Sequence, residues 1–186
     1  MFKFDRHITL NTKHLLLRFI EVDDHKAIYD NVSHDKDVLK YFIMNYQEKD
    51  DEEVIRRISN FAIRNERYVF SIILKDTNEV IGFCLQCSSP STQNNTVELG
   101  YAIGKKYWNQ GYGTECLQAL IDLMFSLGVH KVIANHIVGN IASGRVMQKC
   151  NMIHAATLVD EVYYHDKYHN CESYYIINPK DLGDNK

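Results

Sequence analysis

The chain has 186 residues, 45% hydrophobic and 24% charged, which favours a folded domain over a disordered chain. Its 21 basic and 24 acidic side chains give a net charge of -3 at pH 7, so no nucleic-acid partner is expected. No apolar run reaches the roughly 18 residues of a membrane helix, and no signal peptide is visible. Five cysteines, an odd number, suit reduced thiols, so we expect a cytoplasmic protein with no membrane partner.

The first third of the chain predicts one strand followed by helices. The apolar run 15–20 predicts the strand. Asp23 is placed to cap a helix over 24–32, and Ser33 or Asp35 is placed to cap a short second helix.

The pattern then changes from helical to extended. Residues 50–65 begin with acidic side chains and continue with apolar residues at helical spacing, which predicts a helix. Runs 69–74 and 80–85 flank a polar segment and predict a hairpin, and 96–103 predicts a third strand.

The last third alternates between helices and strands. Helical periodicity starts at Gly113 and stops at Gly128, a residue typical of a helix C-terminus. The remaining predicted elements are a strand at 131–138, a helix at 141–149, and two strands within 157–177 joined by a turn around 165–167. This order predicts a mixed α/β fold and one domain over 1–186, with its core at about 10–178 and a short C-terminal tail at 179–186.

Four of the nine glycines lie close together where a strand leads into a long helix: Gly100, Gly104, Gly111 and Gly113. Glycine lets backbone N–H groups approach a ligand closely, and a helix N-terminus adds about half a positive charge. Such a turn can hold a pyrophosphate, although an ordinary glycine-rich connection would look the same.

Two common phosphate-binding motifs are excluded at this turn. A P-loop needs Lys-Ser or Lys-Thr directly after its last glycine, whereas Thr114 and Glu115 follow Gly113. The dinucleotide fingerprint needs a third glycine where Cys116 stands.

Three segments, 98–104, 107–115 and 140–149, closely resemble the GNAT superfamily of acetyl-CoA-dependent N-acetyltransferases. The opening segment 11–18 is similar to the first strand of its Rim-type branch, which acetylates ribosomal-protein N-termini. The resemblance covers about residues 10 to 178. It implies a single acetyltransferase domain with a mixed, mostly antiparallel sheet, splayed central strands and flanking helices.

The resemblance also implies a binding site for acetyl-CoA. The family's Q/R-x-x-G-x-G/A signature falls on 108–113, with Trp108 in place of the usual Gln or Arg. The backbone of Tyr101, Ala102 and Ile103 would pair with the pantetheine arm, and Asn140 would bond to it. The pyrophosphate would be held by backbone amides of Asn109, Gln110, Gly111, Tyr112, Gly113 and Thr114.

The second helix departs from the family pattern. Met147 stands where many members carry a tyrosine acid, while Ser143 stands where the Rim-type branch also has serine. Ser143 would assist departure of the thiolate, or it would only cap the helix. Asn151 replaces a family glycine, and asparagine tolerates the left-handed conformation.

Glu98 is the candidate base, because a carboxylate in an apolar strand is costly unless it is paired or faces a cleft. The alternative is a strand carboxylate neutralised by a salt bridge. Cys84 and Cys87 are spaced like a metal pair, but residues three apart on a strand face opposite ways, so no metal is expected.

The resemblance therefore implies acetyl transfer from acetyl-CoA to a primary amine by direct attack in a ternary complex. The expected acceptor is a protein or peptide N-terminal α-amine. Two alternatives remain: a small amine such as a polyamine or an antibiotic, and a non-catalytic acyl-CoA-binding module. We expect a monomer or a homodimer.

Overall fold

The structure is a computed structural model that describes residues 4–41, 51–90 and 93–183. Its strands are β1 (Leu10–Asn11), β2 (Leu15–Phe19), β3 (Val69–Leu74), β4 (Glu79–Gln86), β5 (Thr96–Ile103), β6 (Lys131–Ile137), β7 (Ile153–Tyr164) and β8 (Lys167–Ile177). Its α-helices are α1 (His25–Ile28), α2 (Lys36–Leu39), α3 (Asp51–Arg64), α4 (Tyr112–Ser126) and α5 (Ile141–Lys149). The predicted start of the third helix at Asp50 lies outside the described residues.

The strands form one sheet in the order β1-β2-β3-β4-β5-β6-β8-β7. Every neighbouring pair is antiparallel except β5 and β6, which are parallel. This arrangement confirms the predicted mixed, mostly antiparallel sheet.

The two central strands separate soon after they meet. Strand β5 pairs with β6 only between Thr96–Glu98 and Lys131–Ile133. On its other edge, β5 stays paired with β4 as far as Ile103, which lies opposite Gly82. Among the described residues, the β6-facing edge of β5 therefore has no strand partner beyond Glu98, as the predicted splay requires.

Helices cover both faces of the sheet. On one face, Val97, Leu99 and Ile103 of β5 belong to the same buried cluster as Leu117 and Leu120 of α4. On the opposite face, a second buried cluster joins Phe83 and Ala102 of the sheet to residues of the N-terminal helices, namely Ile28, Val32 and Ile55. Strand β5 therefore presents alternate side chains to two different layers.

The N-terminal helical segment begins differently from the prediction. A 3-10 turn at Val22–Asp24 precedes α1, and its N-cap is Glu21, so the predicted cap at Asp23 is wrong. The buried Asp24 carboxylate instead accepts from the Glu21 amide (2.9 Å) and from two guanidinium nitrogens of Arg18 (2.7 and 2.9 Å). It also accepts from the Ser71 hydroxyl at 2.5 Å. The α1 helix then passes into a π-helical turn at Tyr29–Ser33.

The second short helix follows one of the two predicted caps. The Asp35 side chain accepts from the amides of Asp37 (2.8 Å) and Val38 (3.4 Å), which makes Asp35 the N-cap of α2. None of the helices in the described part of the chain is both long and apolar enough to cross a membrane.

The C-terminal hairpin is longer than predicted, because β7 begins at Ile153 rather than near Thr157. His165 and Asp166 form its two-residue turn with φ of 49° and 59°, as a tight hairpin requires. Asn151, just before β7, adopts φ of 58°, the left-handed conformation expected for this residue. In the predicted tail, Pro179–Asp181 forms a 3-10 turn, and the Asp181 carboxylate lies 2.7 Å from His130 Nδ1.

Replacing Asp24 with alanine should destabilise the protein by about 3 kcal/mol, because Arg18 and Ser71 lose their shared partner inside the fold. Urea denaturation measures the change. Asp30→Ala is the control, since Asp30 is exposed and its ion pair in the described part of the chain is with Lys26 one turn away, a contact worth less than about 1 kcal/mol. Equal losses in the two variants would contradict this account of Asp24.

Candidate functional site

A cleft of about 500 Å³ opens where β5 and β6 part. The end of β5 forms one wall, the turn into α4 forms the base, and the start of α5 forms the opposite wall. The predicted site residues that line it are Tyr101, Ala102, Ile103, Trp108, Asn109, Gly111, Tyr112, Gly113, Thr114, Asn140 and Ser143. The structure therefore brings most of the predicted cofactor-binding residues together.

The free edge of β5 offers backbone hydrogen-bonding groups to this cleft. The Glu98 carbonyl accepts from Cys87, and the Gly104 amide donates to Ile81, so even-numbered residues of this stretch bond towards β4. Backbone groups of Tyr101 and Ile103 consequently point the other way, into the gap. The Ile103 carbonyl is already used, because it accepts from the Trp108 indole Nε1 at 2.7 Å. The Tyr101 amide is thus left facing the cleft.

The turn into α4 has the geometry of an anion site. Gly111 is the N-cap of α4 with φ of 88°, a conformation that glycine adopts without strain. The first-turn amides of the helix that follows have no intrahelical partners and carry the positive end of the helix dipole. A Cβ atom at Gly113 would lie 3.4 Å from both Tyr101 and Val146, so the bare glycine leaves open the space between the two walls.

At the start of α5, Asn140 and not Ser143 caps the helix. The N-cap of α5 is Asn140, whose side chain accepts from the Ser143 amide at 3.3 Å, so the helix-cap interpretation of Ser143 is wrong. The Ser143 hydroxyl oxygen instead lies 3.0 Å from the Tyr101 hydroxyl. Burial raises the pKa of Tyr101 well above its ordinary value, which keeps this phenol protonated. Met147, where a tyrosine was expected in the family, is buried in the core.

Glu98 lies on the opposite face of β5 and does not line the cleft. Its carboxylate accepts from Asn135 Nδ2 at 3.0 Å. Burial raises the pKa of Glu98, the hydrogen bond from Asn135 opposes that rise, and the charge of Glu161 adds to it. Within the described ranges, no Lys, Arg or His nitrogen lies within 4 Å of the Glu98 carboxylate oxygens, so the salt-bridge alternative finds no support there.

Gln110 is the other predicted residue outside the cleft lining. Its side chain is exposed, and its Nε2 donates to the Lys106 carbonyl at 3.2 Å. The prediction concerned the backbone amide of Gln110, and the position of the side chain does not test it.

The sequence interpretation missed three features of the cleft. Arg145 and Lys149, one turn apart on α5, line it and supply positive charge. Their i, i+4 spacing was readable in the sequence and could have signalled a shared helix face. The third is the Tyr101 side chain, for which only a backbone role was predicted.

Cys84 and Cys87 do not form a site. Cys84 is fully buried in the cluster that contains Cys116, whereas Cys87 lies close to Gly100. Burial raises the pKa of Cys87 to about 12, so it stays a thiol near neutral pH. In the parts of the chain that the structure describes, no three His, Cys, Asp or Glu side chains are grouped to hold a metal ion. That the reaction needs no metal stays a prediction.

These features fit a ligand with an amide-bearing arm and an anionic end. The free Tyr101 amide can bond such an arm as a strand would, and the α4 N-terminus with its open glycine can receive a phosphate. Arg145 and Lys149 add positive charge at the same cleft.

Comparison with known proteins agrees with the geometry. A family model described as an acetyltransferase (GNAT) domain matches residues 14–153. The chain is 34% identical over 131 residues to the uncharacterized N-acetyltransferase p20 of Bacillus licheniformis, covering 68% of this chain and 71% of p20.

Two solved structures share the fold. A GNAT-family acetyltransferase from Bacillus anthracis is 25% identical with a TM-score of 0.78, covering 92% of this chain and 99% of that one. RimL, a ribosomal L7/L12 α-N-protein acetyltransferase in complex with coenzyme A, is 19% identical with a TM-score of 0.81, covering 91% and 98%. At that identity the second likeness is one of fold.

Replacing Gly113 with valine should weaken coenzyme A binding by roughly tenfold to a hundredfold, because its side chain would fill the gap between Tyr101 and Val146. Isothermal titration calorimetry measures the affinity, and circular dichroism checks the fold. Asp122→Val is the matched control, since it places the same residue on the exposed side of α4. Unchanged affinity in a folded Gly113→Val protein would remove the turn from the binding site.

Proposed function

The chain belongs to the GNAT family and is an acetyl-CoA-dependent N-acetyltransferase, and from that premise we propose that it acetylates the N-terminal α-amine of a protein or peptide. One observation carries the proposal: a carboxylate with a raised pKa, Glu98, lies on the strand whose free edge forms the cleft. Transfer occurs by direct attack of the amine in a ternary complex.

The acceptor must lose a proton before or during attack, and this favours an α-amine. The ordinary pKa of an α-amine is about 7.7–8.0, against about 10.4 for lysine, so it requires less help at neutral pH. Because burial raises the pKa of Glu98 above its ordinary value, its carboxylate is a better proton acceptor than an exposed glutamate. Glu98 takes the proton directly or through water.

Acetyl-CoA supplies an acetyl group activated as a thioester. In the transfer, a C–N bond forms as the thioester C–S bond breaks, and the amine proton goes to Glu98. The Tyr101 amide, which faces the cleft, donates to the thioester oxygen as negative charge develops on it. A fixed backbone donor is effective here because it needs no reorganisation during the reaction.

Ser143 stabilises the departing thiolate by donating a hydrogen bond to the sulfur, in place of the absent tyrosine, and the thiolate then takes its proton from solvent water. The two hydroxyl oxygens lie 3.0 Å apart. In the proposed mechanism Tyr101 is the donor, so the serine proton is free to face the sulfur. Tyr101 remains protonated because burial raises its pKa. Two neutral hydroxyls thus replace the single family tyrosine.

Acetyl-CoA is bound by both walls of the cleft and by the turn into α4 at its floor. The Tyr101 carbonyl and the Ile103 amide, on the free edge of β5, hold the pantetheine arm together with the Asn140 side chain, whereas the Ala102 backbone bonds towards β4. The pyrophosphate lies against the amides of 109–114. Arg145 and Lys149 supply the cationic side chains for the remaining phosphate charge, since both line the cleft.

A panel of acceptors tests the proposed function. Acetyl-CoA consumption is followed with short peptides bearing free N-termini, the same peptides with blocked N-termini and one lysine, polyamines, and aminoglycosides. We expect the free N-terminal peptides to react fastest, with mass spectrometry placing the acetyl group on the α-nitrogen. Faster turnover of a polyamine or an antibiotic would overturn the acceptor assignment. Coenzyme A binding without turnover would overturn the enzymatic assignment.

Glu98→Gln and Ser143→Ala should lower the rate in different ways. Glu98→Gln deletes the base, so its loss should be about tenfold to a hundredfold at pH 6 and should shrink as pH rises through the amine pKa. At high pH solvent supplies the neutral amine without the base. Ser143→Ala should lower turnover by a similar factor at every pH, because it acts on the leaving thiolate. Steady-state kinetics from pH 6 to 9 measures both.

Glu161→Gln is the matched control, because it makes the same substitution at the neighbouring carboxylate on β7. It should retain most of the activity at every pH. A Glu98→Gln variant that matches wild type across the range would place the base elsewhere. A silent Ser143→Ala would remove the serine from the reaction.

A further inference from the structure

The Asn135 side chain is held at one end only. It lies on β6, two residues beyond Ile133, where the pairing with β5 ends. Its Nδ2 donates to Glu98 Oε1 at 3.0 Å. Its Oδ1 is buried and has no hydrogen-bond partner among the described residues.

The unpartnered Oδ1 indicates which contact fixes the orientation of the Asn135 amide. A buried carbonyl oxygen without a donor costs folding free energy, so the arrangement persists only where the other end of the group compensates. Reversing the amide would place Oδ1 against the Glu98 carboxylate, and two acceptors would then face each other. Glu98 in its charged form is therefore the partner that sets the orientation of Asn135.

We propose that Asn135 is a positioning residue that keeps Glu98 ionised and correctly oriented to receive the proton of the acceptor amine. The inference rests on the proposed function, because it assigns Asn135 a role only through Glu98. The sequence alone gave this asparagine no role.

The surroundings of Glu98 make this donor important. Glu161 of β7, Cys171 of β8 and Cys87 after β4 are the titratable groups that interact with it. The carboxylate of Glu161 disfavours a second negative charge, and the two thiols stay neutral near pH 7. Because no described cationic side chain approaches within 4 Å, the Asn135 hydrogen bond is what favours the ionised carboxylate against burial.

The test compares Asn135→Leu, which removes both polar ends at similar size, with Asn135→Asp, which places a second carboxylate beside Glu98. For each variant, kcat/KM with an N-terminal peptide is divided by the wild-type value from pH 6 to 9. Ionisation of the amine cancels in this ratio. Losing the donor raises the pKa of Glu98, so the ratio should fall about tenfold at pH 6 and recover as pH rises. Asn135→Asp should show the larger deficit.

Two further measurements separate positioning from a general loss of stability. In the Glu98→Gln background, Asn135→Leu should change nothing further, since the group it holds is gone. A ¹³C NMR titration of the Glu98 carboxyl should show its pKa raised in both single variants without reference to activity. Asn178→Leu is the control, because Asn178 is a buried asparagine whose side chain bonds, among the described residues, to backbone groups of α4, of the connection from α4 to β6 and of the C-terminal turn. It should not alter the pH dependence.

The outcomes distinguish this inference from the function on which it rests. A ratio that does not vary with pH, in a protein where Glu98→Gln still shows its pH-dependent loss, overturns the role of Asn135 alone. A silent Glu98→Gln overturns the proposed base, and the role of Asn135 with it.

Discussion

A parallel pairing that lasts only three residues determines the layout of this protein. Strand β5 is held on one side by β4, and β6 is held on its far side by β8, so each stays in the sheet after the two part. Backbone donors inside a fold normally have partners, and here the sheet itself leaves one row of them open. A ligand that resembles a strand can complete the sheet.

The open strand also divides the chemistry between two layers. Because alternate residues of a strand face opposite sides, Tyr101 points towards α5 and Ser143, while Glu98 points towards Asn135 on the other face. In the proposed mechanism, proton acceptance from the amine and hydrogen-bond donation to the sulfur therefore lie on opposite sides of one strand. The acceptor and the co-substrate would then approach the gap from different sides, as direct transfer requires.

Sequence patterns predicted the elements well where local chemistry decides them. The strand at 96–103 and the helix at 141–149 have the predicted bounds, since periodicity and polar flanking residues mark both. The predicted cap at Asp23 is wrong because Glu21 is the N-cap of the turn. The carboxylate that orders this turn is that of Asp24, whose partner Ser71 lies far along the chain on β3. The contacts of the Tyr101 hydroxyl and of the Asn135 amide join segments that are far apart along the chain. The lack of a described cation beside Glu98 also depends on how distant segments pack. Spacing along the chain does not reveal such contacts.

The Trp108 indole has a consequence for how a strand-like ligand can lie along β5. By donating to the Ile103 carbonyl, it occupies the last acceptor on the free edge. An incoming arm cannot slide towards the end of the strand, because its next bonding position is already taken. Unpaired strand edges also recruit foreign chains. The indole therefore limits a strand-like ligand to one register along β5. It also shortens the unpaired strand edge on which a foreign chain could pair.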